Sequence, residues 1–233
     1  MEDLGPGARG MHVRLAQRLL NRALRQAPGF HRLVDDGIYG RRTEAAVQLL
    51  QDRSHVSSTE HGYVGPSTWR LMGLTVQIEH TVTLVPQHYL NGCWSASASM
   101  VMGVEMSVSP GSANLILPDN PNDPVWGQLG ADNANIIAFA EHINGRAVVV
   151  PATVERIATY LRIRPIWIAG HWAQGGGHVV VISALWGDGT NEGSVIRIHD
   201  PWPVNEGNIY GTVWPAMRCP TDRFLPFALG VGI

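Results

Sequence analysis

The stretch VPQHYLNGCWSAS, residues 85–97, places Cys93 directly before Trp94 and a run of small residues, with Gln87 six positions upstream. A thiol attacks a carbonyl carbon only as the thiolate. Residues 93–104 read as a helix of small and apolar residues, buried on most sides. Cys93 would stand at its N-terminus, where unpaired N–H groups and the helix dipole favour negative charge. A nucleophile there also needs a base, a group that orients the base and an oxyanion site. Without those partners, a lone cysteine ahead of a small-residue helix is more often a packed structural thiol.

Of ten histidines, His178 stands out. It follows Gly175–Gly177, which clear side chains from the space before it, and it opens the β-branched run HVVVISAL (178–185). A base on a strand is firmly held. Asp200 closes a second run, SVIRIHD (194–200), on the same face as Ile196 and Ile198 by period-two alternation. Antiparallel pairing of the two runs through WGDGTNEG (186–193) would return Asp200 to the side of His178. The backbone N–H of Cys93 and the side-chain amide of Gln87 are the candidate oxyanion donors. His88, His171 and His199 read as surface residues or residues behind the site, and Cys219 as a packed thiol. No Cys/His spacing of the usual zinc-binding kind is present, so neither metal nor cofactor is expected. GGGH lacks the lysine and the strand-to-helix setting of a phosphate loop.

The elements that must position these residues divide the chain in two. Before residue 76, DGIYGRRTEAAV (36–47) and HGYVGPSTWRLM (61–72) repeat x-Gly-x-x-Gly-x-x-Thr, each a tight turn followed by a helix start. Thr43 and Thr68 fall at helix N-caps or in first turns. A helix over 11–26 has Val13, Ala16, Leu19, Leu20, Ala23 and Leu24 on one face; others cover 43–53 and 67–73. Residues 1–76 thus form a small three-helix domain. Asp36, Tyr39 and Tyr63 are candidates to line a shallow surface at its glycine turns, whereas Trp69 reads better as core.

Residues 77–233 form the second domain. The segment 75–84 is a linker or a first strand; 132–143 and 153–162 read as helices. The strands AVVV (147–150), PIWIAG (165–170), 178–185 and 194–200 follow. Helices first and strands later predict an α+β fold with an antiparallel sheet.

The set Gln-x5-Cys-Trp, His-Val-Val and Asp-x-Trp resembles the papain-like cysteine peptidases over about residues 85–215. Asp200 in place of asparagine, followed by Pro-Trp-Pro, resembles the bacterial effector proteases of that clan. The resemblance implies Cys93 as nucleophile, His178 as general base, Asp200 as its orienter and Gln87 in the oxyanion hole. Trp202 would shield the His–Asp pair from water, and Trp94, Gly176 and Gly177 would line the substrate side. Residues 7–74 resemble the peptidoglycan-binding domain of bacterial cell-wall hydrolases, with a longer segment before the Asp36–Gly37 turn than is usual.

The resulting expectation is a cysteine hydrolase of amide bonds in wall peptide stems, secreted or delivered to the periplasm or wall as an antibacterial effector. An immunity protein is an expected partner. The alternatives are an effector protease acting on protein, with the N-terminal domain used for retention, and a non-catalytic wall-binding protein. The N-terminus, MEDLGPGARG, lacks a basic region followed by an apolar core, so a cleaved signal peptide is not expected. A net charge of −2, with 45% apolar and 15% charged residues, gives no reason to expect nucleic acid or an anionic membrane as partner. No run approaches the about 18 apolar residues of a membrane-spanning helix.

Overall fold

Apolar residues at helical spacing bury one side of α1 (Met11–Ala23), with Val13, Ala16, Leu19 and Leu20 inside. The helix ends earlier than its pattern implies. Ala23, expected on the buried face, is exposed, while Leu24 is buried just beyond the helix end. α2 (Arg41–Arg53) and α3 (Pro66–Leu71) follow, the latter with proline at its first position, where no N–H is needed. The caps of α2 and α3 are Gly40 and Gly65, so Thr43 and Thr68 sit inside the first turns and do not cap.

A computed structural model describes residues 1–55, 61–88, 92–103, 145–148, 153–172, 177–213, 217–218 and 223–232. The helix expected at 132–143, the end of the strand expected at 147–150, Gly176 and Cys219 lie outside the described residues. The chain divides into two units, one of Met1–Gln77 with Trp186–Val195, the other of Ile78–Leu185 with Ile196–Ile233.

In the first unit, two buried glutamines explain the repeated glycine–threonine pattern. Gln17 accepts the Gly37 N–H at 2.9 Å and donates to the Ile38 carbonyl at 3.1 Å and the Thr43 hydroxyl at 3.2 Å. Gln51 does the same one helix later: it accepts from Gly62 at 2.9 Å and donates to Tyr63 O at 2.9 Å and Thr68 Oγ1 at 3.0 Å. Gly37 and Gly62 have φ of 74° and 84°, which puts both turns in the left-handed region. Within this unit Arg22 binds Asp188 at 2.7 Å and Thr190 at 2.8 Å in the 186–195 segment.

The second unit pairs helices with an antiparallel sheet. Its helices are α4 (Cys93–Met102) and α5 (Val154–Leu161). The strands are β1 (Val76–Glu79), β2 (Gly145–Val148), β3 (Ile166–Trp172), β4 (Gly177–Gly187), β5 (Ser194–Asp200), β6 (Asn208–Val213), β7 (Met217–Arg218) and β8 (Arg223–Gly232). Among the described residues these strands form one sheet in the order β2-β8-β3-β4-β5-β6, with β1 on β4 and β7 on β8. The pairs β3–β4, β3–β8 and β2–β8 are antiparallel.

β8 lies inside the sheet although it contains Pro226, which has no N–H for the ladder. The register shifts at Ala169/Gly170, opposite Ala228 and Pro226, and this irregularity accommodates the proline. α4 packs on the sheet through a core of Cys93, Trp94, Ala98, Met100 and Val101 against Trp167, Ala169, Val179 and Val181. The serines of this buried helix are bonded: Ser97 Oγ donates to Val179 O at 3.1 Å and Ser99 Oγ to Ser95 O at 3.1 Å.

Candidate active site

Cys93 is the first helical residue of α4, with Gly92 as N-cap. The cap makes no side-chain hydrogen bond, and no acidic residue stands in the first turn. The positive end of the helix dipole is therefore uncompensated by protein carboxylates within the helix itself. The ladder begins with the Ala96 N–H on Gly92 O at 3.1 Å, so the Cys93 N–H has no partner within its own helix. Cys93 is a free cysteine, 9% exposed.

His178 is the second residue of β4, held opposite Gly170 of β3. Asp200 is the last residue of β5, and the turn between the two strands is closed by the Asp188 N–H on Gly193 O at 3.1 Å. The hairpin brings His178 Nε2 to 2.7 Å from Asp200 Oδ1. Both residues are buried, Asp200 almost wholly. Nε2 is engaged by the carboxylate, and Cys93 also acts on the same imidazole. Burial alone would push the imidazolium's pKa down. The hydrogen bond to Asp200 and the interaction with Cys93 outweigh it and raise His178 to about 9.

Two groups missed by sequence reasoning hold Asp200. The Trp202 N–H donates to Oδ1 at 2.9 Å, and the Tyr210 hydroxyl to Oδ2 at 3.3 Å. Tyr210 lies on β6, a strand absent from the sequence reading because NIYGTV (208–213) carries a glycine and no clear alternation.

Gln87 is buried, and both of its backbone polar groups bond to the segment that follows Asp200. Its N–H donates to Pro201 O at 3.0 Å and its carbonyl accepts from the Asn205 N–H at 2.8 Å. His178 and Asp200 are thus directly bonded, and Gln87 is tied to the loop leaving Asp200.

The remaining candidates separate by burial. Trp94 does not line a substrate surface: it is 5% exposed, packs in the core under α4, and its carbonyl accepts from Trp167 Nε1 at 3.1 Å. Trp202 is 43% exposed and contacts Asp200 through its backbone N–H. Gly177 pairs with His171 at the start of β4.

Tyr39 does not line a surface. It is buried, its hydroxyl donates to Gly62 O at 2.7 Å, and burial drives its pKa well up, so it belongs to the core and not to a surface. Asp36 accepts from Gln17 and from the Ile38 N–H, both at 2.9 Å, and these bonds hold its pKa down. Tyr63 is half exposed, and Trp69 is buried. His199 is not a surface residue. It is buried with neither ring nitrogen bonded among the described residues, and burial together with the nearby Arg197 pushes it down to about 4. His88 is bonded to Asn205 and His171 lies on β3.

The profile of the family described as papain-like cysteine protease AvrRpt2 matches residues 74–210, more than half of the chain. The chain belongs to that family of papain-like cysteine proteases. A peptidoglycan binding domain profile matches residues 9–72, over the unit built on Gln17 and Gln51. Among solved structures, the chain is similar to a double glycine motif protease from an AMS/PCAT transporter, in complex with the leader peptide. The identity is 17%, the TM-score 0.35, and the match covers 67% of this chain and 97% of that one. No curated protein matches. This papain-like protease has no helix long and apolar enough to cross a membrane among its described residues. No group of three or more His, Cys, Asp or Glu residues suited to hold a metal ion occurs among them either.

Proposed function

We propose that the chain cleaves amide bonds with Cys93 as nucleophile, His178 as acid and base, Asp200 as the orienting carboxylate and Gln87 as an oxyanion donor. The observation that carries this reading is the buried His178–Asp200 contact at 2.7 Å, beside Cys93 at the head of a helix. The sulfur attacks the carbonyl carbon, and negative charge gathers on the carbonyl oxygen. The Cys93 N–H and the Gln87 amide hold that charge. The imidazolium gives its proton to the leaving amine, the C–N bond breaks, and an acyl-thioester remains on Cys93. The neutral imidazole then takes a proton from water, which attacks the thioester and restores the thiolate–imidazolium pair. Asp200 keeps the ring aimed throughout, its own position supported by Trp202 N–H and Tyr210.

The substrate we infer is the peptide stem of bacterial cell wall, because a peptidoglycan binding domain match lies beside the protease match. The protein would then act at the wall or in the periplasm, as an antibacterial effector countered by an immunity protein. The match to the AvrRpt2 family favours a second reading, cleavage of a protein substrate. The test incubates wild type and Cys93→Ala with purified muropeptides and with unfolded casein, and identifies products by mass. Muropeptide cleavage by the wild type alone supports the wall reading. Casein cleavage alone selects the second, and no difference between the two proteins removes the enzyme.

A further inference from the structure

The segment Pro201–Gly207 does more than leave the sheet. Its first residue accepts the Gln87 N–H at 3.0 Å and Asn205 donates to the Gln87 carbonyl at 2.8 Å, so one loop grips the glutamine backbone from both sides. Asn205 has φ of 64°, one of two non-glycine residues with positive φ among those described. Asparagine tolerates this left-handed conformation better than most residues. Its side chain adds a second tie, accepting from His88 Nδ1 at 2.9 Å, on the residue next to Gln87.

The loop itself has little freedom. The Glu206 and Gly207 N–H groups both donate to Pro203 O, at 3.1 and 2.8 Å. Gly207 has φ of 62°, and a Cβ there would come to 3.1 Å from both Asp200 O and Leu84 Cδ2. The loop is therefore anchored at Asp200, closed on itself and clasped to residues 87 and 88.

We infer that Asn205 is a positioning residue for the reaction. Its left-handed turn and its two bonds to Gln87 and His88 hold the glutamine amide where the oxyanion forms. The same loop begins at Asp200, so the amide is set in register with the His178–Asp200 pair. This rests on the reading of Gln87 as an oxyanion donor. Asn205 bonds to Gln87 and His88 and to neither the imidazole nor the carboxylate, so its loss should slow the chemical step without moving the titration of the pair.

The test compares Asn205→Val, Asn205→Gly and Asn205→Asp, each alone and with Gln87→Ala, on whichever of muropeptide or casein the wild type cleaves; thermal unfolding is followed in parallel. Valine is strained at this φ, and kcat should fall about ten- to a hundredfold with KM and the pH profile unchanged. Glycine keeps the backbone but loses the His88 bond, and kcat should fall about threefold. Aspartate keeps both the acceptor and the tolerance for this backbone, and should remain within about twofold of wild type. In the Gln87→Ala background none of the three should cost more than about twofold, since the group they position is gone.

A slow Gln87→Ala enzyme beside fully active, folded Asn205→Val overturns the inference alone. So does an Asn205→Val loss that persists undiminished without Gln87, or one that comes with a shifted pH profile. Should the valine variant not fold, a glycine variant with wild-type kcat has the same consequence. Full kcat in Gln87→Ala overturns the oxyanion reading, and this inference with it.

Discussion

Both units bury polar side chains, and they use them in opposite ways. In the first, Gln17 and Gln51 are neutral amides whose bonds go to turn backbone, to Thr43 and Thr68 and, for Gln17, also to Asp36. Such groups specify the two glycine turns and offer nothing to a reaction. In the second, His178 and Asp200 are ionisable, buried together and joined at 2.7 Å, and Cys93 acts on the same imidazole. A polar group satisfied on every side stabilises. A charged one with a site left for an attacking atom can do chemistry. The sharpest way to break this contrast is to remove the attacking atom. Cys93→Ala should lower kcat/KM by about 10⁴-fold or more, as for other nucleophiles acting within a unit, while its melting temperature stays near wild type. Peptide turnover and thermal unfolding measure the two.

Removing the orienting carboxylate tests the same contrast one step back. Asp200→Asn keeps the shape but leaves the imidazole without its anionic partner, and kcat should fall by about 10²- to 10⁴-fold. Stability should change as well, with a definite sign. His178 is raised in the folded state to about 9, so its contribution is complete below the unfolded value near 6.5 and is lost as pH rises through about 9. Wild type should therefore lose stability between about pH 6.5 and 9 by denaturant titration, and Asp200→Asn should show a flatter profile there.

The smallest effect belongs to the first unit. Gln17→Leu or Gln51→Leu leaves a buried glycine N–H without its acceptor and should destabilise that unit by about 1–3 kcal/mol. Turnover of a small soluble peptide should stay within about twofold, since neither residue is part of the reacting group. A loss of turnover as large as that of Asp200→Asn would erase the distinction between the two kinds of buried polar group.

The reacting group was more legible in the sequence than its supports, for physical reasons. Cys93 is marked by its place at the head of a helix of small residues, and His178 and Asp200 by two β-branched runs joined through a polar turn. Local pattern and one hairpin are enough to bring them together. Tyr210 and Asn205 leave no such mark. Tyr210 is on a strand interrupted by Gly211, and Asn205 matters through a backbone angle that one-letter code does not carry. β8 is hidden in the sequence because Pro226 and two glycines argue against an inner strand, and the register shift opposite Ala169/Gly170 makes room for it. Gln17 and Gln51 were hidden on helix faces that read as apolar with scattered polar residues. Tyr39 and Trp94 mislead for the converse reason: large aromatics beside a turn or a nucleophile suit a binding surface as well as a core, and only burial separates the two.

The account depends on the His178 imidazole being shared between a carboxylate and a sulfur. NMR titration of histidine-labelled protein, with His178→Gln to assign the resonance, measures this directly. The ring should stay protonated through neutral pH and titrate near about 9 in wild type, and its midpoint should fall in Cys93→Ala, where one of the groups that raises it is missing. Titration at or below the ordinary imidazole value, indifferent to the loss of Cys93, would contradict it.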